Sequence, residues 1–386
     1  METVKGFNDY TGQEAIKREK ITEVLVKNFR LYGFEPAEAP IIEYEEFVKG
    51  DNQNDEAVSD IYKLKDKGAR NLALRYEVTF QLKRLAKNKK LPYKRYQIGP
   101  VFRDEPSSSN RVRQFTQCDV DTVGSSAKDE AEILALTQKI FKELKIQAEI
   151  QVNSRKLLNS VIKSLGIDNT EFVLREIDKL DKQGEDNVKQ SLSKFIEKPK
   201  IIKLFKALSQ SLSSFKKFEG YKELKEVFDL CELYKVKVVF KPTLARGLSY
   251  YNGTVFEAKT REFKETLGGG GSYMINNTQS TGISFGIERI SQLSKLDPEN
   301  EKILIISIKQ DKKAILLAEK LRKQGKSVII SDKITKALEY ANSYNISQVI
   351  FLGEKEIKSK KYKIKDMKTG KELLVSEKEL VEKLKN

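Results

Sequence analysis

Two runs of alternating side chains, residues 93–105 and 113–123, flank the short polar loop PSSSNRV. Runs of this length with such a connection predict a long antiparallel hairpin. Side chains alternate between the faces of a strand. One face of the second arm therefore carries Phe115, Gln117, Asp119 and Asp121. Because Cys118 and Val120 point to the other face, the hairpin predicts an antiparallel sheet with one apolar and one polar face.

Polar side chains recur on two neighbouring strand-like runs. Residues 72–80 predict a strand, and one face of it carries Arg75, Glu77 and Thr79. Arg103 and Glu105 share a face of the first hairpin arm. The polar face of a single strand is often only solvated. Together with the second hairpin arm, these are three neighbouring strands that present cations, carboxylates or amides. They favour a sheet surface that binds a zwitterion and a polyphosphate.

The rest of the chain divides into helical and sheet-forming stretches. Thr11 and Glu14 predict a capping box that opens an amphipathic helix, which ends at Gly33. The following GFEPAEAPIIEYEEF segment predicts extended structure with Ile41 and Ile42 buried. Further along, the pattern predicts a helix at 127–144, a Lys-rich helical insertion at 154–230, strands at 236–240 and 251–259, a flexible turn at the glycine run 268–271, a helix at 282–294, and a small α/β domain with a largely parallel sheet from residue 303.

Basic side chains outnumber acidic ones, with 72 Lys plus Arg against 56 Asp plus Glu and a formal net charge of +16. Residues 301–386 alone hold 21 basic and 12 acidic side chains. A charge of this size either covers a solvated surface or attracts a polyanionic partner. Its concentration near the end of the chain favours an RNA-facing C-terminal domain.

The chain contains no histidine, which excludes Ser-His and Cys-His nucleophilic arrangements and removes the most common metal ligand. Its chemistry must therefore depend on Arg, Lys, carboxylates and groups of the substrates. The two cysteines, Cys118 and Cys231, lack the spacing of a disulfide framework or a zinc site. Since no segment resembles a signal peptide or approaches the roughly 20 apolar residues of a membrane span, we expect a cytoplasmic protein without membrane association.

Four strings occur in the order found in one enzyme family: LRYEVT, FRDE followed by RVRQFTQCDVD, RGLSYYNGTVFE, and GISFGIERI. They resemble the histidyl-tRNA synthetases from end to end, and QCDVD resembles the archaeal and eukaryotic branch. APIIEYEEF is similar to the dimer-forming first motif of class II synthetases, FRDE to QCDVD to the second, and GISFGIERI to the third. The resemblance implies an α+β catalytic domain with a six-stranded antiparallel class II sheet (1–153 and 231–297), a helical insertion (154–230) and a C-terminal α/β anticodon-binding domain (301–386).

The resemblance also implies a role for each site residue. The α-amino end of histidine would be held by Glu77, Thr79 and Gln117, and its imidazole by Asp121, Tyr251 and Tyr273. Arg103 and Arg246 would be the catalytic cations and would also bind histidine: Arg103 would bridge the histidine carboxylate and the α-phosphate of ATP, and Arg246 would lie on the other side of that phosphate. ATP would also contact Glu105 and Phe115 at adenine, and Arg111 and Arg289 at the γ-phosphate, with Mg²⁺ sharing the charge and no protein metal site implied. Arg246 and Tyr251 are five residues apart, so they share one site only if the chain bends, and Gly247 permits that bend.

The implied activity is that of a histidine–tRNA ligase, which activates histidine with ATP and transfers it to the 3′ end of tRNA(His) as a homodimer. One alternative is a synthetase-like regulatory subunit of histidine biosynthesis that binds histidine without charging tRNA. A non-catalytic RNA-binding module and a class II enzyme for another amino acid are further alternatives. Retention of Arg103, Arg246, Arg289 and the basic C-terminal region favours the ligase.

Overall fold

The structure, a computed structural model, describes residues 1–50, 56–108, 111–247, 250–263, 265–296 and 300–383. The chain splits into two compact units, one formed by Met1–Tyr10 and Arg18–Leu296, the other by Thr11–Lys17 and Asp297–Asn386. No helix among the described residues is both long and apolar enough to cross a membrane.

The sheets are built from sixteen strands in the described part of the chain. In chain order they are β1 (Glu35–Pro36), β2 (Ile42–Tyr44), β3 (Lys63–Lys65), β4 (Asn71–Leu74), β5 (Tyr93–Phe102), β6 (Gln114–Val123), β7 (Glu149–Ser154), β8 (Val238–Phe240), β9 (Tyr251–Lys259), β10 (Gly268–Ile275), β11 (Thr278–Gly286), β12 (Asn300–Ser307), β13 (Val328–Ser331), β14 (Ile346–Leu352), β15 (Lys361–Asp366) and β16 (Glu372–Ser376).

Helices connect and cover these strands. They are α1 (Gly12–Leu31), α2 (Glu45–Lys49), α3 (Glu56–Ser59), α4 (Leu82–Leu85), α5 (Ala127–Glu143), α6 (Arg155–Ser164), α7 (Thr170–Asp178), α8 (Leu180–Gln183), α9 (Glu185–Leu192), α10 (Lys198–Leu208), α11 (Tyr221–Leu233), α12 (Ile287–Leu293), α13 (Asp311–Arg322), α14 (Ile334–Ser343), α15 (Glu354–Ser359) and α16 (Glu377–Lys383), with a 3₁₀ helix at Leu212–Phe215.

The main sheet of the first unit has eight strands in the order β1-β5-β6-β11-β10-β9-β7-β8. The six central strands are antiparallel, as predicted, while the edge strands β1 and β8 pair in parallel with β5 and β7. The predicted hairpin is confirmed as β5 and β6, in register from Tyr93 opposite Val123 to Phe102 opposite Gln114. The predicted division of its faces is also confirmed, because Cys118 and Val120 lie fully buried in the apolar core of the unit.

The prediction of a strand over 72–80 is wrong, because β4 ends at Leu74. Beyond that point side chains occupy the backbone acceptors: Arg103 Nε donates to the Tyr76 carbonyl at 3.2 Å and Arg95 Nη2 to the Val78 carbonyl at 3.0 Å. The chain then turns toward α4, with the Leu82 amide bonded to the Thr79 carbonyl. A common strand face therefore does not bring Arg75, Glu77 and Thr79 together. Arg103 and Glu105 likewise follow the end of β5 rather than lying on it.

Two predictions about the glycine-rich region are also wrong. The run from Gly268 to Gly271 is the start of strand β10 rather than a flexible turn, and the predicted helix at 282–294 begins only at Ile287, after strand β11. Close packing explains the run, since a Cβ on Gly270 would lie 1.9 Å from the Gly282 carbonyl oxygen of the neighbouring strand.

The extended segment after α1 differs from its prediction in burial. Gly33, with φ near +78°, follows the end of α1 as predicted. Ile41 and Ile42, predicted to be buried, are 39% and 49% exposed, and Tyr44 is 53% exposed. Ile42 and Tyr44 lie on β2 of the small sheet β2-β4-β3, and Ile41 is the residue before β2. Nothing else in the described chain covers these three side chains. This segment therefore presents an apolar strip on the surface.

The predicted helical segment is present between β7 and β8 and packs in two ways. Helices α6 to α10 enclose an apolar core of their own that includes Leu158, Val173 and Leu204. Helix α11 instead contributes Leu224 and Val227 to the main core. The helical residues that build this separate core thus lie within 155–208, and Ala245, from beyond β8, joins them.

The second unit contains a five-stranded sheet in the order β13-β12-β14-β15-β16. The pairs of β12 with β13 and β14 are parallel, whereas β15 and β16 extend the sheet in antiparallel fashion. The predicted small α/β domain is confirmed, but its sheet is parallel only over β13, β12 and β14 and antiparallel over the other two pairs. Apolar side chains of β12 and β14 are buried on both faces of the sheet, which is why these strands read as continuous apolar runs.

Candidate active site

A buried cluster of charges lies on the polar face of the main sheet. Arg95 on β5 is fully buried, and its Nη2 lies 2.9 Å from Asp121 Oδ2 on the adjacent β6. The Tyr273 hydroxyl of β10 donates to Asp121 Oδ1. The neighbouring strand accommodates this carboxylate only because a glycine is there, since a Cβ on Gly282 would lie 2.1 Å from Asp121 Oδ1. Asp121 and Tyr273, both predicted site residues, therefore form one hydrogen-bonded unit.

Asp119 extends the cluster along β6. Thr79 Oγ1 donates to its Oδ2 at 3.4 Å, whereas its buried Oδ1 has no hydrogen-bond partner among the described residues. Burial raises the pKa of both Asp119 and Asp121, because a carboxylate loses its hydration in the interior. The charge of Asp121 raises the pKa of Asp119 further, and Arg95 opposes both shifts. The cluster thus holds two carboxyl groups against one fully buried guanidinium.

Three tyrosines stand beside this cluster. The ring centroids of Tyr250 and Tyr251 are 4.7 Å apart, and those of Tyr250 and Tyr273 are 5.6 Å apart in an edge-to-face arrangement. Burial raises the pKa of Tyr250 well above its ordinary value, and the charge of Glu77 raises it further. Glu77 therefore lies close enough to Tyr250 to raise its pKa, although Glu77 does not lie on a strand.

Arg246 lies next to the tyrosines and faces β9. Its Nη1 is 2.7 Å from Glu257 Oε1, and its guanidinium carbon is 5.7 Å from the centroid of the Tyr251 ring. The chain does bend as the shared site requires, but the bend is at Arg246 itself, whose φ is +61°, rather than at Gly247. A Cβ on Gly269 would lie 2.2 Å from Arg246 Nη1, so the glycine run of β10 makes room for the guanidinium.

A second group of cations gathers at the other end of the site. The Arg103 guanidinium lies 5.2 Å from the centroid of the Phe115 ring, a cation–π distance. Arg111 pairs with the buried Glu105, and Arg289 Nη1 donates to the Thr266 carbonyl at 2.8 Å.

Arg289 is electrostatically close to the other arginines. Burial lowers its pKa, and the positive charges of Arg103 and Arg111 lower it further against the opposing charge of Glu265. Cations that destabilise one another in this way are stabilised by an anion between them. The described part of the chain has no group of three or more His, Cys, Asp and Glu side chains placed to hold a metal ion.

The predicted site residues fall into these two neighbouring groups. Gln117 lies between them on β6, and its buried Oε1 has no hydrogen-bond partner among the described residues, so it can accept a donor from a ligand. Asp119, Arg95 and Tyr250 were not predicted as site residues. Asp119 shares the predicted polar face and Tyr250 adjoins a predicted residue, so both had a signal. For Arg95, only the strand register shows that it opposes Asp121.

Comparison with known proteins identifies relatives of the whole chain. A family model described as histidyl-tRNA synthetase matches residues 6–290, and an anticodon-binding domain model matches residues 302–386. Histidine–tRNA ligase 1 of Bacillus cereus is 33% identical, with 97% of this chain and 95% of the relative covered. Histidine–tRNA ligase 2 of Shouchella clausii is 35% identical, with 96% and 97% covered.

A solved structure agrees with these relatives. The crystal structure of histidyl-tRNA synthetase from Nostoc sp. PCC 7120 superposes with a TM-score of 0.88 at 25% identity, covering 100% of this chain and 98% of that one. The family match, the relatives and the fold all agree with the motifs in the sequence, and the chain belongs to the histidyl-tRNA synthetase family.

Proposed function

We propose that this chain joins L-histidine to tRNA(His) in two steps, first forming histidyl-adenylate from histidine and ATP and then transferring histidine to the 3′ end of the tRNA. One observation carries this proposal most directly. The hydrogen-bonded unit of Asp121 and Tyr273 adjoins Tyr251 and Arg246, and the second group of arginines lies at the other end of the same sheet face. The proposed pocket for the histidine side chain and the proposed anion site therefore lie on the same face of the main sheet.

The pocket is suited to an imidazole. An imidazole has two ring nitrogens, and each donates or accepts according to its protonation state. The Asp121 carboxylate accepts, the Tyr251 phenol can do either, and the Tyr273 hydroxyl, whose proton goes to Asp121, can accept. A site built on such hydrogen bonds rejects analogues that lack them by a factor on the order of 10⁴. Glu77, Thr79 and Gln117 would bind the α-ammonium group, since a carboxylate, a hydroxyl and an amide oxygen all accept its protons.

Activation places negative charge at the α-phosphate. A carboxylate oxygen of histidine attacks the α-phosphorus, the bond to the bridging oxygen breaks, and pyrophosphate leaves. Arg103 and Arg246 would bind the phosphoryl oxygens from opposite sides, and a preorganised donor at such a position stabilises the transition state by about 3 to 4 kcal/mol. Glu105 and Phe115 would contact the adenine.

Arg111 and Arg289 would bind the γ-phosphate end of ATP. Mg²⁺ would arrive with the nucleotide and be held through phosphate oxygens, because this ion usually keeps most of its waters and takes few protein ligands. The transfer step needs no histidine side chain, since a phosphate oxygen of the adenylate can accept the proton of the attacking ribose hydroxyl as AMP leaves.

The rest of the chain would supply the tRNA and the partner subunit. Residues 301–386 would bind the anticodon region through their excess of basic side chains. The exposed strip of Ile41, Ile42 and Tyr44 would be covered in a homodimer, because apolar strips of this kind mark interfaces. We also propose the division 1–153 with 231–297, 154–230 and 301–386 into catalytic, insertion and anticodon-binding parts, acting in the cytoplasm.

The alternative is a regulatory subunit that binds histidine without charging tRNA. Such a protein has no need for cations at the nucleotide end of the site. Arg103 and Arg289 are retained at that end, Arg246 is retained beside the tyrosines, and residues 302–386 match an anticodon-binding model. These two features favour the ligase.

The exchange of labelled pyrophosphate into ATP tests the proposal. We expect exchange with histidine and none with the other amino acids, and charging of tRNA(His) in a second assay. Exchange with a different amino acid would disprove the specificity. Calorimetric binding of histidine without any exchange would support the regulatory subunit instead.

A further inference from the structure

The backbone at Arg246 adopts a conformation that needs support. Its φ of +61° lies in the left-handed region, which a residue with a side chain occupies only when its surroundings hold it there. The preceding Ala245 is fully buried in the apolar core formed by helices α6 to α10. These helices thus hold the chain immediately before the proposed catalytic arginine.

Arg155, the first residue of α6, contacts the same turn. Its side chain is buried, Nη1 donates to the Arg246 carbonyl at 3.4 Å, and Nη2 lies 2.6 Å from Glu171 Oε2 on α7. The end of β7 fixes the start of α6, because Ser154 caps the helix by accepting the Leu157 amide at 3.2 Å. A buried guanidinium therefore connects the helical body with the backbone of Arg246.

Asp178, the last residue of α7, approaches from another side. Its Oδ2 lies 3.1 Å from the position that a Cβ on Gly247 would occupy, so the carboxylate rests against the backbone that follows Arg246. Burial raises the pKa of Asp178, and the positive charge of Arg246 opposes that shift.

A chain of ion pairs also connects the helical body to the guanidinium. Asp181 on α8 pairs with Lys259, whose Nζ lies 3.5 Å from Glu257 Oε2, and Glu257 Oε1 binds Arg246 Nη1 at 2.7 Å. Arg246 is therefore fixed from both directions, by β9 and by the helices.

We propose that Arg155 and Asp178 are positioning residues for the activation step. They hold Arg246 in its left-handed turn, with its guanidinium directed at the active site. This inference rests on the proposed function. Neither residue touches the reacting atoms. Arg246 would act on charge that develops in the transition state, so its displacement lowers kcat and leaves the KM values nearly unchanged. Misplacement of a catalytic group by about 1 Å typically lowers the rate by about 100-fold.

The experiment compares Arg155→Met with Lys156→Met. Lys156 is the next residue of the same helix, and its Nζ pairs with Glu223 Oε1 at 2.8 Å and Glu219 Oε1 at 3.4 Å, so the control removes the same charge together with its ion pairs. Two measurements are made on the full chain: amide hydrogen exchange of peptides that cover Ala245–Gly247, and single-turnover formation of histidyl-adenylate. Each variant is also made in an Arg246→Ala background, and Asp178→Asn serves as a nearly isosteric second variant.

We expect Arg155→Met to speed amide exchange at Ala245–Gly247 and to lower the adenylation rate by about 10- to 100-fold, with KM for histidine and ATP within about threefold. Asp178→Asn should act in the same direction and Lys156→Met should do neither. In the Arg246→Ala background, Arg155→Met should cause no further loss, because residues that act through one group are not additive.

Two results would overturn the inference: unchanged amide exchange in both Arg155→Met and Asp178→Asn, or a full additional rate loss in the Arg246→Ala background. A wild-type protein that forms no histidyl-adenylate would instead refute the proposed function. Hydrogen exchange would still decide in that case whether Arg155 holds the turn.

Discussion

The two ends of the active site handle charge in opposite ways. At the imidazole end, Asp121 is already bound by Arg95 and Tyr273, so the protein itself supplies both signs of charge. At the nucleotide end, Glu105 pairs with Arg111, yet the positive charges of Arg103 and Arg111 still lower the pKa of Arg289. The first arrangement gives a pocket of fixed shape and polarity, as recognition requires. The second gathers three neighbouring cations, which an anion such as a polyphosphate would stabilise further.

Arg103→Ala should have the largest effect, because it removes a proposed cation from the nucleotide end. We expect kcat for histidine-dependent pyrophosphate exchange to fall by about 10²- to 10³-fold, with a much smaller change in KM for histidine. Arg322→Ala is the control, since Arg322 lies on α13 of the second unit and pairs with Glu319 at 2.6 Å. Equal losses in both variants would contradict the assignment of Arg103.

Gly282→Ala should affect the imidazole end instead. The new Cβ would lie 2.1 Å from Asp121 Oδ1 and 2.8 Å from the Val120 carbonyl oxygen, so the carboxylate must move. We expect KM for histidine to rise by about 100-fold, equivalent to about 2.7 kcal/mol, while kcat changes less. Gly286→Ala on the same strand is the matched control, because a Cβ there meets nothing within 4 Å and its φ is −94°.

If Gly282→Ala lowered kcat and left KM unchanged, the separation of recognition from catalysis between the two ends would be wrong. Steady-state exchange kinetics with varied histidine decide this. Thermal unfolding of both variants shows whether the change is local, since overpacking at Gly282 is also expected to lower the free energy of unfolding by about 1 to 3 kcal/mol.

The sequence predicted the parts of this site that depend on alternation along a single hairpin. Gln117, Asp119 and Asp121 share the polar face of β6, as the period of two requires. Prediction from the sequence failed where tertiary contacts override the local pattern. The strand predicted over 72–80 ends at Leu74, and beyond it Arg95 and Arg103 bind carbonyls that a strand would pair, for which the local sequence has no signal.

The prediction of a flexible turn at the glycine run failed for the same physical reason. Gly268–Gly271 has the composition of a flexible turn, yet it is a strand whose missing side chains leave room for Arg246 and for the neighbouring backbone. Composition reports conformational freedom, whereas this site uses the absence of a Cβ as space. The role of Arg155 had no sequence signal either, because 91 residues separate it from Arg246.

Tyr273→Phe should have a smaller effect than Gly282→Ala at the same end. The change removes only the hydroxyl that donates to Asp121, and a hydrogen bond to a charged group contributes about 1.5 to 3 kcal/mol. We expect KM for histidine to rise by about 10- to 100-fold, with kcat nearly constant. Tyr62→Phe is a suitable control, because Tyr62 packs on Phe7 and touches none of the imidazole-end residues. A fall in kcat without a change in KM would place the Tyr273 hydroxyl in the chemistry rather than in recognition.

Asp119→Asn should have the smallest effect and should concern stability. Burial raises the pKa of Asp119 above its ordinary value of 3.8, so the folded state retains a proton that the unfolded chain releases. Stability therefore falls as pH rises from about 4 toward the folded-state pKa, and this carboxyl opposes folding at neutral pH.

The amide cannot ionise, so at pH 7 to 8 Asp119→Asn should raise the unfolding temperature by a few degrees, equivalent to about 1 kcal/mol in the free energy of unfolding. Near pH 4 it should leave both unchanged. Asp168→Asn, on an exposed loop, should change neither value. Unfolding curves between pH 4 and 8 measure the difference. A stabilisation that persisted unchanged at pH 4 would show that the gain comes from packing rather than from the buried charge. A gain that disappears at pH 4 would instead show that the Asp119 charge opposes folding, and that the imidazole end keeps this charge for binding although it lowers the free energy of unfolding.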